Sequence, residues 1–260
     1  QGYQTRFYYG GNSDFSNFKG FLISNGFDKV IDQTGFPLNQ RKSKWGIHDD
    51  IVVERFYNDI QAVSNPLCYG IFTLSSHEPF DVPYKSSFLD GTDLGRYLNS
   101  IAFTDSVIGV FYNQFKNSPK WDNTLLVFVA DHGHHFPLNS RYEDPGHYRI
   151  PLIFAGGALK EEYRAKEIKS RISQLDIPYT LLRQFEMTSE KFDLSRDFFC
   201  PNYSAPIGYC FNFGYGIITP NNDTLVYDAG GKYYFNYKQK DTSWRISADA
   251  WFQYVIKKFE

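Results

Sequence analysis

Two rhythms of hydrophobic spacing run along the first 190 residues. Phe15, Phe18, Phe21 and Leu22 recur three and four positions apart, which predicts a helix over residues 14–25 with Gly26 as its stop. Ile51, Phe56, Ile60 and Val63 predict a second helix ending near residue 63, with Asp49 or Asp50 as its cap. A long amphipathic helix is expected over 94–115, and a further one over 173–187, after Pro178. Residues 5–9 read as a strand ahead of the first helix, and between the helices lie short apolar runs at 67–74, 124–130 and 150–155. Such runs suit strands covered on both faces. Strands that alternate with helices predict an α/β fold with a mostly parallel sheet flanked by helices.

From residue 200 the rhythm changes. Residues 215–219, 225–227 and 233–237 are separated by the turn Pro220-Asn221-Asn222-Asp223 and by Gly230-Gly231, which predicts antiparallel hairpins. A closing helix is expected over 248–259. The expected organisation is therefore an α/β body over 1–199 and a small antiparallel C-terminal subdomain over 200–260.

Composition narrows the partners more than the fold. The 260 residues carry a net charge of -2, so bulk electrostatics give no reason to expect nucleic acid or an anionic membrane. No run of about eighteen apolar residues predicts a membrane-spanning helix. The chain opens Gln1-Gly2-Tyr3 and enters a strand almost at once, so a membrane anchor or signal is expected upstream if there is one. Cys68, in an apolar run, reads as a buried small hydrophobe, and Cys200 and Cys210 are candidates for pairing.

The candidate chemistry gathers after two of the apolar runs. Ala130-Asp131-His132-Gly133-His134-His135 follows the most hydrophobic strand and holds three of the six histidines. In an open α/β sheet, ligands collect at the carboxyl ends of strands, where an Asp and a His can ligate a divalent metal and a Gly permits a sharp turn. The alternative is a polar loop. Ser75-Ser76-His77-Glu78-Pro79 leaves another strand end, where His77 could contact a substrate oxyanion or merely sit in a capped turn. Gly146-His147-Tyr148-Arg149 precedes the next strand, and the loop 136–149 could fold over the site. His147 is then a ligand or substrate contact, and Arg149 an anion clamp or a plain surface charge.

These residues resemble, in order along nearly the whole chain, the sulfatase family of the alkaline-phosphatase superfamily. The branch is that of lipoteichoic acid synthases and phosphoglycerol transferases. The likeness is carried by Asp131-His132-Gly133-His134, Trp121-Asp122-Asn123-Thr124, Leu74-Ser75-Ser76-His77-Glu78-Pro79-Phe80 and Arg149-Ile150-Pro151-Leu152. Tyr8-Tyr9-Gly10-Gly11, Gly26-Phe27-Asp28, Trp45-Gly46 and Leu175-Asp176-Ile177-Pro178 agree with it.

The resemblance implies a metal-dependent hydrolase or transferase acting on phosphate or sulfate esters, with an alkaline-phosphatase-like fold. It implies Asp131 and His132 as metal ligands and His77, His134 and His147 as substrate contacts. The implied cofactor is a divalent metal, Mn²⁺ first, with Zn²⁺, Mg²⁺ or Ca²⁺ as alternatives. The implied setting is the periplasmic or extracellular face of a bacterial membrane, with a lipid head group or glycan bearing the ester. The family's nucleophilic Thr or Ser, and an acidic ligand before it, are expected upstream of this chain, since Thr34 and Thr73 stand in the wrong order to replace them. Where lipoteichoic acid synthases carry an aromatic-Asn-Arg stretch, this chain has Ser16-Asn17-Phe18, which leaves a different phosphodiester, a phosphoethanolamine-like head group or a sulfate ester open. The alternative to an enzyme is a non-catalytic module that binds phosphorylated or sulfated glycans through its aromatic C-terminal stretch.

Overall fold

A computed structural model of the chain describes residues 2–88, 90–187, 190–235 and 243–259. These divide into two compact units, Gln1–Val127 with Phe154–Glu161, and Phe128–Ile153 with Glu162–Glu260.

The first unit is built on a three-stranded parallel sheet. Strand β1 (Gln4–Tyr9) lies between β2 (Lys29–Ile31) and β3 (Leu67–Phe72), in the order β2-β1-β3. Tyr8 pairs in register with Ile31 on one side and Ile71 on the other. Helices α1 (Phe18–Ser24) and α2 (Asp49–Gln61) make the crossovers, and α3 (Asp93–Lys116) follows β3. Helix α2 turns Val52, Val53, Phe56 and Ile60 inward at helical spacing, and they pack with Tyr8, Ile31, Phe111 and Phe115 into one core. Helix α3 is capped by Thr92, whose hydroxyl accepts from the Gly95 amide at 2.9 Å, and it ends on Lys116, the charge its C-terminus favours.

Several expectations need correction here. The predicted helix over 14–25 is broken: Ser16 and Asn17 both take left-handed φ, so a 3₁₀ turn at Phe15–Asn17 precedes the shorter α1. Helix α2 is not capped by Asp49 or Asp50. His48 holds the cap position without a side-chain cap bond, and Asp49 is buried instead. Cys68 lies exposed on β3, and Cys200 and Cys210 are free thiols.

The loops after β1 and β2 are tied together by the buried Asp32. Its carboxylate accepts from the Ser13 hydroxyl at 2.5 Å, the Thr34 hydroxyl at 2.6 Å and both residues' amides. Burial alone would raise its pKa, but these four bonds outweigh burial and hold it below the ordinary carboxylate value. The folded state therefore favours the ionised form. That stabilisation is present above the unfolded value of about 3.9 and is lost as pH falls through the lower folded value. Asp32→Asn should be most destabilising at neutral pH, and the gap to wild type should narrow below about pH 4. Urea midpoints across pH 3–7 measure this, and a gap independent of pH would refute it.

Strands β4 (Leu126–Val129) and β5 (Leu152–Ala155) pair with each other. Strand β4 is less enclosed than its apolar run implies, and its last residue, Val129, is 43% exposed. The predicted helix over 173–187 resolves into a 3₁₀ turn at Gln174–Asp176 and helix α4 (Ile177–Gln184), with Pro178 in its first turn, where a missing N–H costs nothing.

The second unit is dominated by an antiparallel sheet of β6 (Ile207–Phe211), β7 (Gly214–Ile218), β8 (Thr224–Asp228) and β9 (Tyr233–Phe235). The expectation for residues 236 and 237 lies outside the described residues. One face of this sheet packs Tyr215, Ile217 and Leu225 against Ala248, Trp244 and Phe252 of helix α5 (Ser243–Phe259), which begins five residues before its predicted start. The other face gathers Tyr209, Ile218 and Val226 with Tyr148. Both faces being covered, β7 shows no polar alternation.

Candidate metal centre

The loop after β4 carries the candidate ligands. Asp131 Oδ2 lies 3.3 Å from His132 Nε2, and both side chains are open to solvent. His132 Nδ1 lies 2.7 Å from the Gly133 carbonyl oxygen. A carbonyl can only accept, so Nδ1 donates to it, which leaves Nε2, beside the carboxylate, as the nitrogen that would ligate a metal. Two donors on one metal at about 2.0–2.2 Å in tetrahedral geometry stand roughly 3.3–3.5 Å apart, which is the separation seen here. An Nδ1–H held by a carbonyl is the usual arrangement of a ligating imidazole. The pair thus fits a divalent cation as two of its ligands. Among the described residues, no group of three or more His, Cys, Asp or Glu could hold a metal ion, so the pair is not completed from them.

The segment with His147 returns to this loop, as expected of a loop that folds over a site. A Cβ built on Gly133 would fall 1.8 Å from the His147 carbonyl oxygen, so only glycine lets the two backbones approach this closely. His147 is buried, and its Nδ1 lies 3.0 Å from the Ser140 hydroxyl. Burial first, then the neighbouring His135 and His132, lowers its pKa below the ordinary histidine value. It therefore stands as a neutral imidazole at neutral pH, able to donate or accept. His134 stacks beside His135 with ring centroids 4.2 Å apart, and His135 beside Phe136 at the same distance. Asp131, His132, His134 and His147 thus belong to one unit and to one pair of adjoining loops.

Aromatic packing holds the outer loop. Tyr148 lies against Tyr209 of β6 with centroids 4.6 Å apart. The Tyr148 hydroxyl donates to the Tyr142 carbonyl at 2.8 Å, and the Tyr209 hydroxyl to the Glu143 carbonyl at 2.9 Å. Part of the aromatic C-terminal stretch is therefore spent on supporting the loop that carries His147. Sequence reading missed this support, because the partners lie some 60 residues apart with no shared spacing.

His77 belongs to the first unit, in the loop that leaves β3. Its Nδ1 lies 2.9 Å from the Glu78 carbonyl oxygen, which also accepts from the Trp45 indole at 2.5 Å. The Trp45 ring meets the imidazole edge to face at 5.1 Å. The shared carbonyl fixes the Nδ1–H tautomer and leaves Nε2 free to meet a ligand. The loop itself hangs on the buried Asp49, whose carboxylate accepts from the Leu74 amide at 2.7 Å and the Ser75 amide at 3.1 Å.

Residues 1–187 match the family model described as Sulfatase. The chain is 28% identical over 144 residues to phosphoglycerol transferase I of Xanthomonas campestris, a match covering 51% of this chain and 20% of the relative. It thus spans about a fifth of that curated relative. Among solved structures, an alkaline-phosphatase-superfamily protein from Vibrio parahaemolyticus superposes with a TM-score of 0.76 at 23% identity, covering 96% of this chain and 64% of that one. The lipoteichoic acid synthase of Listeria monocytogenes gives 0.70 at 19% identity, covering 95% and 66%. The fold is therefore that of the alkaline-phosphatase superfamily, a parallel sheet flanked by helices with a separate antiparallel sheet near the C-terminus. With its family model covering residues 1–187 of 260, the chain belongs to the sulfatase family.

Proposed function

We propose that this chain is part of a metal-dependent transferase or hydrolase acting on phosphate esters, and that it supplies part of the metal site and of the substrate contacts. The observation that carries the reading is the pair of Asp131 and His132 after β4, with Nε2 of the imidazole 3.3 Å from the carboxylate and Nδ1 on the Gly133 carbonyl. Mn²⁺ suits one carboxylate and one imidazole, as do Zn²⁺ and, with more oxygen ligands, Mg²⁺ or Ca²⁺. When bound, such an ion would supply Lewis-acid polarisation of the ester and lower the pKa of a nucleophile. The remaining roles fall to side chains. Asp131 contributes negative charge and His132 a neutral nitrogen donor. His147, neutral and bonded to Ser140, can donate a hydrogen bond to an ester oxygen or take up a proton. His77 offers a free Nε2 on its own loop, and His134 a further contact.

Phosphate is favoured over sulfate because the curated relative is named a phosphoglycerol transferase. The nucleophile and the other metal ligands are proposed to come from residues outside these 260. The proposed setting is the extracytoplasmic face of a bacterial membrane, where a lipid head group or envelope glycan would carry the ester. No helix among the described residues is long and apolar enough to cross a membrane. The alternative, a glycan-holding module, gains nothing from Tyr209, Tyr215, Tyr227 and Tyr234, whose rings pack within the antiparallel sheet and against its cover.

A Mn²⁺ titration by calorimetry tests this on the 260-residue chain and on a chain extended upstream by about 200 residues, one further domain's worth. Tight binding and turnover of an aryl phosphate by the extended chain alone is the expected result. Equal affinity in both chains would overturn the shared site, and tight binding without turnover would favour the binding module.

A further inference from the structure

We propose that Gln174 is a positioning residue for the metal-ligand loop, its side-chain amide holding the Ala130 and Asp131 carbonyls and so aiming the Asp131 carboxylate. The inference rests on the metal-site reading above. Strand β4 ends at Val129, so the next two carbonyls lie beyond its ladder. Gln174 Nε2 meets them both, at 2.5 Å from the Ala130 oxygen and 3.0 Å from that of Asp131. A side-chain amide has two N–H donors, and this fork uses both on adjacent carbonyls. Two bonds fix the peptide plane between the residues, and with it the direction in which the Asp131 side chain leaves the backbone.

Gln174 is itself anchored. Ser173 and Asp176 form a reciprocal capping box around it. Asp176 is 3% exposed and accepts from the Ser173 amide at 3.0 Å, the Arg196 amide at 2.9 Å and the Tyr203 hydroxyl at 2.6 Å. Three separated segments thus converge on one buried carboxylate, and Gln174 is the arm that carries this rigidity to the ligand loop. The arm is exposed, so its bonds add little to folding, while a ligand must be held to about half an ångström to bind well.

The test uses whichever of the two chains above binds Mn²⁺. Gln174→Met keeps the length without the donors, and Gln174→Glu sets an acceptor against two acceptors. Both should weaken Mn²⁺ binding about 10- to 100-fold and change the electron-paramagnetic-resonance line shape of the bound ion. The metal-free melting temperature should stay that of wild type. In the metal-free wild type, the Gln174 side-chain amide protons should exchange slowly with solvent. Wild-type affinity and line shape in both variants would overturn the proposal, as would a lower metal-free melting temperature with affinity unchanged. If Asp131→Ala also leaves affinity untouched, the metal-site reading falls and takes this proposal with it. If only the Gln174 variants bind normally, the metal site stands without it.

Discussion

Replacing Asp131 by alanine is expected to weaken Mn²⁺ binding at least a hundred-fold in the chain extended upstream, about 2.8 kcal/mol at about 1.4 kcal/mol per factor of ten. Asp131 is the only acidic member of the candidate pair, and a metal-bound His132 would add an uncharged imidazole nitrogen. A divalent ion loses more from a missing carboxylate than from a missing imidazole, because the charge–charge term goes with it. Asp131→Asn, which keeps an oxygen but no charge, should fall between alanine and wild type. Both side chains are open to solvent, so neither change should alter the metal-free fold. Calorimetry gives the affinity and a metal-free melt gives the control. Undiminished affinity in Asp131→Ala would remove the proposed site.

The second large effect is on stability. Asp49→Ala should destabilise the chain by about 3 kcal/mol, seen as a fall in Tm of roughly 6–12 °C for a protein of this size. Asp49 is 1% exposed. Its loss leaves the Leu74 and Ser75 amides without their acceptor in the interior, and each orphaned donor costs about 1–3 kcal/mol. The Thr104 hydroxyl also loses a partner at 3.3 Å. Against this, burial pushes the Asp49 carboxyl pKa upward despite its hydrogen bonds, so alanine recovers part of the cost of an enclosed charge. The net remains a loss because the donors stay behind. The same bonds set the loop from Leu74 to His77, whose amide donates to the Leu74 carbonyl at 3.0 Å, so His77 should become mobile in the variant. Thermal melts and the His77 imidazole resonances report the two effects. A stability loss below about 1 kcal/mol would show that the loop holds its shape without Asp49.

What the sequence revealed followed the range of the forces involved. Strands β3, β4 and β5 were legible because each is a compact apolar run, β1 because Phe7, Tyr8 and Tyr9 favour a strand, and α2 and α3 because their core contacts repeat at helical spacing. Strand β2 escaped because three residues, Lys29-Val30-Ile31, are too few to show a period. Strand β6 escaped because Gly208 and Cys210 interrupt its pattern, with Gly208 packed beneath the Trp251 ring. The kink at Ser16 and Asn17 is a backbone choice with no apolar signature. Among the candidate residues, the Asp-His-Gly-His motif pointed to Asp131, His132 and His134, and two separate loops to His147 and His77. The groups that hold those loops were not visible. Asp49, Gln174 and the stack of Tyr148 on Tyr209 each act on residues 25 or more positions away. A long-range polar contact leaves no periodic trace, and Asp49 was read as a helix cap because capping is the common local use of an aspartate.

The division of the chain also sets an order of assembly. Neither unit is a continuous segment: the backbone passes between them at residues 127–128, 153–154 and 161–162. During synthesis from the N-terminus, the first unit has all its residues once Glu161 has emerged. By then residues 128–153, with both candidate ligands, have also emerged, but Tyr209 and Gln174 have not. The ligand loop therefore waits longest for its supports, and a ribosome-bound chain of which only the residues up to about 170 have emerged should carry a folded parallel sheet and an unformed metal centre.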